Sequence, residues 1–359
     1  MLRLDKNLLD NALELIQQGV NKGYFPGATV AIGDRKGVYV VRQYGKACIY
    51  PSIADLDKDT LYDLASLTKV VGTTTLFMKF LEMGLVTLDD RVEEYMPKFS
   101  CGKKSQIRLF NLLTHTSGLP AYLPLYKMCC DYNDVIRCIG DVNLEYDPGT
   151  KVVYSDLGFI LLRYILEKAG HASFERLCDT YVFKPMGMEN TCFNPKTKNV
   201  AATEIDINTG RVLIGKCHDE NGRFLSGISG HAGLFSNICD LINFCNMLIN
   251  RGTILEGRFL SIPAFEMMTR NYTAGLNEDR GIGWCVKGSG GRISSGGDLV
   301  SPSAFGHTGF TGTSIWVDIP HNIYIILLTN RVHPSRRNDS IIRFRRVFHN
   351  AVLSSIVDD

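Results

Sequence analysis

The first twenty residues alternate apolar and polar positions at helical spacing. Leu8, Leu9, Ala12, Leu13 and Ile16 recur with Asp5, Lys6, Asp10, Asn11 and Glu14 between them, which predicts an amphipathic helix. The period then shortens. Residues 27–45 (GATVAIGDRKGVYVVRQYG) hold two short apolar runs around Asp34-Arg35-Lys36-Gly37, the pattern of a hairpin. Residues 313–330 (TSIWVDIPHNIYIILLTN) repeat it, turning at Pro320-His321-Asn322. Between the hairpins the helical period returns at 70–83, 159–168 and 240–250, with Gly84 and Gly170 at the places where C-terminal caps are expected. Residues 339–356 predict a closing helix. Ile341, Ile342, Val347, Phe348, Ala351 and Val352 are its expected buried stripe, and Arg343, Arg345 and Arg346 its expected solvated face.

Strands from both chain ends with helices between them predict an α+β fold. An antiparallel sheet is built from both ends and covered by helices on both faces, and a mainly helical region is inserted. The division expected is one catalytic unit over 1–359, with an α/β part near 1–65 and 255–359 and a helical part near 66–254. Ligand sites in such arrangements lie at the junction of the two parts.

Composition narrows the function classes. The 39 basic and 37 acidic side chains leave a net charge of +2, which gives no reason to expect nucleic acid or an anionic membrane as partner. No apolar run approaches the roughly 18 residues of a membrane span, and the first helix is too interrupted by charge for a signal-peptide core. The 11 cysteines are odd in number and scattered, and no C-x-x-C occurs. That usage points to a reducing compartment, and the cytoplasm is the expected location. No H-E-x-x-H or similar ligand spacing is visible, so neither metal nor cofactor is expected.

The candidate nucleophile lies in LYDLASLTKVVGTTT, residues 61–75. Ser66 and Lys69 are three apart at the head of an apolar run, and on a helix such positions share a face. A serine hydroxyl attacks only when something takes its proton, and a desolvated lysine or a neighbouring tyrosine can do so. S-x-x-K alone is a weak signal. A second copy, Ser100 to Lys103, stands in FSCGKK before no apolar helix and reads as an exposed loop. His115 with Ser117 invites a triad, but their surroundings read as a helix end and a turn. Ser229 in GISGH lacks the second glycine of a nucleophile elbow. The glycine-rich stretch 288–297 reads as a loop and a candidate substrate lid.

Further segments change the weight of Ser66. Tyr154-Ser155-Asp156 and His307-Thr308-Gly309 follow it in order, with NLLTHTSGLP (111–120), FKPMGMENTCF (183–193) and SGHAGLFSNICDLINF (229–244) around them. Together these resemble the serine β-lactamase and penicillin-binding-protein superfamily, in particular its class C-like esterase and D-aminopeptidase branch, over about residues 27–331. The resemblance implies that Ser66 is the nucleophile and that Lys69 with Tyr154 moves its proton. It implies an oxyanion hole made by the backbone N–H groups of Ser66 and Phe310, with Asp156, His307, Thr308 and Gly309 contacting substrate.

Two positions depart from the family pattern. Asp156 stands where an asparagine is common, and a carboxylate cannot donate to a substrate carbonyl. The expectation is that it pairs with Lys69, keeps it protonated and shifts the base role to Tyr154. His307 stands where penicillin-binding members carry lysine. A largely neutral imidazole is a poor anchor for a substrate carboxylate, which weakens the case for strong β-lactamase or carboxypeptidase activity unless another group anchors it. The expected function is a serine hydrolase forming an acyl-enzyme on an ester or amide. The alternatives are an intracellular muropeptide amidase or D-amino-acid peptidase, a weak β-lactamase, and a non-catalytic penicillin-binding-like sensor. Leaving group, acyl preference and oligomeric state carry no sequence signal.

Overall fold

The structure is a computed structural model that describes residues 2–288, 290 and 294–357. Helix α1 (Lys6–Asn21) begins at Asp5, whose carboxylate accepts the Leu8 N–H at 2.9 Å and satisfies one of the amides that a helix start leaves unpaired. The first hairpin is β1 (Gly27–Asp34) and β2 (Gly37–Cys48), followed by the short β3 (Ala54–Asp55). The late strands are β4 (Cys285–Val286), β5 (Phe305–Thr308), β6 (Ser314–Asp318) and β7 (Ile323–Thr329). They form one antiparallel sheet in the order β4-β5-β6-β7-β1-β2-β3. The two chain ends join at β7 and β1, from Tyr324 opposite Gly33 to Thr329 opposite Ala28.

All seven residues of β7 are buried, and the strand reads as an unbroken apolar run because helices cover both faces. Ile323, Ile325 and Leu327 join the cluster of Ala12, Ile16, Phe344 and Phe348 from α1 and the closing helix α5 (Ile341–Leu353). Tyr324, Ile326 and Leu328 join the larger cluster of the helical region, with Phe244 from α4 (Ile238–Ile249). The period of two thus feeds two cores.

Helix α2 (Thr75–Glu82) is the α-helical part of the predicted 70–83 stretch, and Gly84 adopts the left-handed cap at φ +72°. Before it the chain winds as a 3₁₀ turn over Ala65–Leu67 and a π-helical turn over Lys69–Thr74, the kind of irregularity that often marks a functional segment. Helix α3 (Asp156–Gly170) runs through Gly170, and His171 takes the left-handed cap instead.

The closing helix corrects one expectation. Arg345 is buried at 5% exposure while Ile342 is 64% exposed. Ile341, Arg345, Phe348 and Val352 are spaced by four, three and four, so they share the face turned to the sheet. There Arg345 Nη2 donates to the Thr313 carbonyl at 3.3 Å.

Candidate active site

The backbone before Ser66 is held from three directions. Asp63 is buried; its Oδ1 accepts the Ala65 N–H at 2.8 Å and its Oδ2 the His218 N–H at 2.6 Å. Ala65 is kept at φ +46°, a conformation unfavourable for a residue with a Cβ. The Asp63 and Leu64 carbonyls accept hydrogen bonds from Thr311 Oγ1 at 2.6 Å and Thr313 Oγ1 at 3.1 Å. The chain following β5 is therefore tied to the nucleophile's own backbone. At Gly309 a Cβ would lie 2.1 Å from Thr313 Oγ1 and 2.4 Å from the Leu64 carbonyl oxygen, so only glycine allows this approach.

Lys69 is fully buried. Its Nζ lies 3.0 Å from Ser66 Oγ, 3.0 Å from the His231 carbonyl oxygen and 2.7 Å from Asp156 Oδ1. Burial alone would depress the ammonium pKa; Asp156 and Tyr154 outweigh it, and the group is held above the ordinary lysine range. The Lys69–Asp156 pairing expected from the sequence is thus present. The same ammonium sits 4.8 Å from the centre of the Tyr154 ring. Burial raises the Tyr154 phenol, while Lys69 and Ser66 pull the other way by favouring the phenolate.

The His307-Thr308-Gly309 segment is close by. His307 and Tyr154 have ring centres 5.8 Å apart. His307 is 2% exposed, and burial, with Arg280 and Lys69 nearby, holds its pKa well below the usual histidine value. Its Nδ1 donates to the Thr308 carbonyl at 2.9 Å, which leaves a bare buried Nε2. The sheet edge is β4, which lies opposite Phe305 and Gly306 of β5, so His307 and Thr308 run on beyond it. Phe310 is half exposed. The Arg331 guanidinium lies 4.3 Å from its ring centre and donates to its carbonyl at 2.7 Å, while the His218 ring stacks at 5.6 Å.

Several neighbours had not been singled out as site residues. His115, left by the sequence as part of a turn, stacks on Tyr154 at 4.5 Å and on Phe159 at 5.1 Å, and its Nδ1 accepts the Ser155 N–H at 3.0 Å. It orients the Tyr154 segment; Ser117, its supposed triad partner, instead accepts the Leu119 N–H at 3.3 Å. His231 Nε2 and Asp219 Oδ1 are 2.8 Å apart, and His231 Nδ1 lies 2.8 Å from Ser229 Oγ. Ligand atoms of Asp156, Asp219 and His231 lie within 4.8 Å of one another. The Lys69 ammonium already provides positive charge against that group. The signal for His231 was the SGH run itself, read only for a nucleophile.

Two cavities meet at Ser66, Tyr154 and Phe310. One of about 860 Å³ opens between the 277–287 segment, β5 and α5; the other, about 430 Å³, is walled by Tyr122, Tyr126, Asp156 and Asp219. Ser294 and Ser295 of the glycine-rich stretch border the larger one; residues 289 and 291–293 of that candidate lid lie outside the described residues. Arg280, Arg331 and Arg345 also line it. Cationic charge thus reaches this side of the site although His307 stands where penicillin-binding members carry lysine.

Residues 13–348 match the family described as Beta-lactamase. An Escherichia coli K12 protein named "Putative D-alanyl-D-alanine carboxypeptidase" is 31% identical over 357 residues, covering 89% of this chain and 81% of that one. Among solved structures, a class C β-lactamase superposes with a TM-score of 0.79 at 19% identity, covering 98% of this chain and 97% of that one. A D-alanine carboxypeptidase from Burkholderia cenocepacia gives 0.76 at 20%, with 98% and 99% covered. The hydrolase EstCE1, described as having promiscuous acyltransferase activity, gives 0.77 at 20%, with 97% and 99% covered. The chain belongs to the β-lactamase family and is a serine hydrolase.

Proposed function

We propose that the protein cleaves the amide bond of an amino-acid or peptide substrate through an acyl-enzyme on Ser66. The observation that carries this is the position of Lys69 Nζ, 3.0 Å from Ser66 Oγ and 2.7 Å from Asp156, with the Tyr154 ring alongside. With Tyr154 as the phenolate, the form the Lys69 ammonium stabilises, Ser66 Oγ adds to the carbonyl carbon as its proton passes to the phenolate oxygen. The backbone N–H groups of Ser66 and Phe310 face the oxyanion. The bond to the leaving nitrogen then breaks as the proton returns to that nitrogen. Water adds to the acyl-enzyme by the same route and frees the acid. Thr308, Gly309 and His307 border the substrate.

The cationic cavity and the carboxypeptidase name of the Escherichia coli relative support a peptidase over an esterase for neutral esters. Retention of the whole proton-transfer cluster argues against a sensor that has lost turnover. The 11 cysteines are all unpaired, which supports a reducing compartment such as the cytoplasm. No helix among the described residues is long and apolar enough to cross a membrane.

Intact-mass measurement after exposure to a fluorophosphonate tests the reading. One covalent adduct is expected, lost in Ser66→Ala; labelling that survives Ser66→Ala would end it. The base assignment is tested separately by Asp156→Asn. Asp156 raises both the Lys69 ammonium and the Tyr154 phenol, so its neutralisation lowers both. The ascending limb of the pH–rate profile is expected to move to lower pH. An unchanged profile would rule out the coupling.

A further inference from the structure

Among the described residues the larger cavity is lined by four basic side chains, Arg280, Lys287, Arg331 and Arg345, and two carboxylates, Glu278 and Asp279. Among these residues the excess is two positive charges. Arg280 is 3% exposed; it donates to Glu278 at 2.6 Å and to Cys285 Sγ at 2.9 Å, and its Nε has no partner among the described residues. Arg331 donates to the carbonyls of Phe310, Arg336 and Asn338. Among the described residues Arg345 holds the Thr313 carbonyl alone, and its Nε is buried without a partner there. A guanidinium has five N–H donors. Arg345 thus brings unused donors and full charge into the cavity wall, and among the described residues its hydrogen-bond partner is a neutral carbonyl.

A buried guanidinium without a counter-charge is costly. Burial, with Arg331 close by, pulls Arg345 down to about 10, which still leaves it charged at neutral pH. The two guanidiniums with spare donors come from different walls: Arg280 from the segment before β4, beside Tyr154, and Arg345 from α5. Neither belongs to the Ser66–Lys69, Tyr154–Asp156 or His307–Gly309 elements. The volume, about 860 Å³, is of the order of a whole ligand pocket and exceeds what a single small residue fills.

Resting on the acyl-enzyme reading, we infer that this cavity receives a leaving group with two negative charges, as an acidic amino acid carries on its α-carboxylate and its side chain. One carboxylate meets Arg345 with Arg331 behind it; the other meets Arg280. Arg345 is the specificity-determining residue for the second charge.

The test compares kcat/KM for N-acyl dipeptides that share the acyl residue and end in D-glutamate or D-glutamine, which differ by one charge at equal size. The wild type is expected to favour D-glutamate by about tenfold to a hundredfold. Arg345→Met is expected to bring the ratio below threefold, and Arg345→Lys to leave an intermediate one. Equal rates in the wild type overturn the inference. A second measurement needs neither a variant nor turnover: glutarate is expected to protect Ser66 from fluorophosphonate at concentrations at least tenfold lower than glutaramate, and equal protection overturns the inference. Absence of Ser66 labelling without either compound sinks the acyl-enzyme reading instead.

Discussion

Lys69→Met is expected to slow acylation of Ser66 by about a thousandfold or more, at the upper end of what a positioned proton-transfer group contributes. The Lys69 ammonium contacts Ser66 Oγ, Asp156 and the His231 carbonyl together. Its loss removes the charge that favours the Tyr154 phenolate and the donor that orients the serine. Stability falls as well. Lys69 is fully buried and the Asp156 side chain is 20% exposed, so the variant leaves a mostly buried carboxylate facing methionine. Breaking such a pair costs about 3 kcal/mol, the lower end of the buried range because Asp156 retains some water. Urea denaturation at pH 7 reads this as a lower midpoint at unchanged slope. The double variant Lys69→Met with Asp156→Asn separates the two effects. It is expected to regain most of the stability and none of the activity, since a neutral amide in place of the carboxylate needs no counter-charge while the serine still lacks its proton route. Single-turnover burst kinetics supply the rate; a loss of less than tenfold in Lys69→Met would remove lysine from the chemistry.

The parts of this site that the sequence made legible are those set by local spacing or by charge. Ser66 and Lys69 lie within one turn of chain, and the apolar run of β7 marked the second strand of a hairpin. The Lys69–Asp156 pair followed from the mismatch of an aspartate at an asparagine position, because a carboxylate at that place needs a cation. His115 and His231 were harder to read. One acts through a stacked ring and a main-chain contact, the other through its carbonyl oxygen, and neither role leaves a mark on residue type. Arg345 was misread for an energetic reason. Three arginines in four residues look like a solvated face, since burying one is costly, yet its spacing to Ile341, Phe348 and Val352 already put it on the apolar stripe. The segment around Arg280 has no periodicity, and its path is set by tertiary contacts such as Tyr272 N–H to the Arg280 carbonyl at 2.8 Å.

Gly309→Ala is expected to lower kcat by about a hundredfold to a thousandfold, the usual cost of losing one oxyanion donor. The added methyl would lie 2.1 Å from Thr313 Oγ1 and 2.4 Å from the Leu64 carbonyl oxygen, closer than any side chain tolerates, and the Leu64 oxygen is main chain that cannot rotate away. The clash is relieved by moving the segment after β5 off the Asp63–Leu64 backbone, which stretches the Thr311 and Thr313 hydrogen bonds. Phe310 follows immediately, so its N–H leaves the Ser66 side first. Arg331, stacked on the Phe310 ring, opposes the shift, and the strain stays local instead of unravelling β5. Unfolding is therefore expected to remain cooperative, with a loss of about 1–3 kcal/mol, as overpacking usually gives. The loss should fall on kcat more than on KM, because the oxyanion contact forms fully only as the carbonyl becomes tetrahedral. A variant with KM raised and kcat intact would place Phe310 among the groups that bind substrate and take its N–H out of the oxyanion hole.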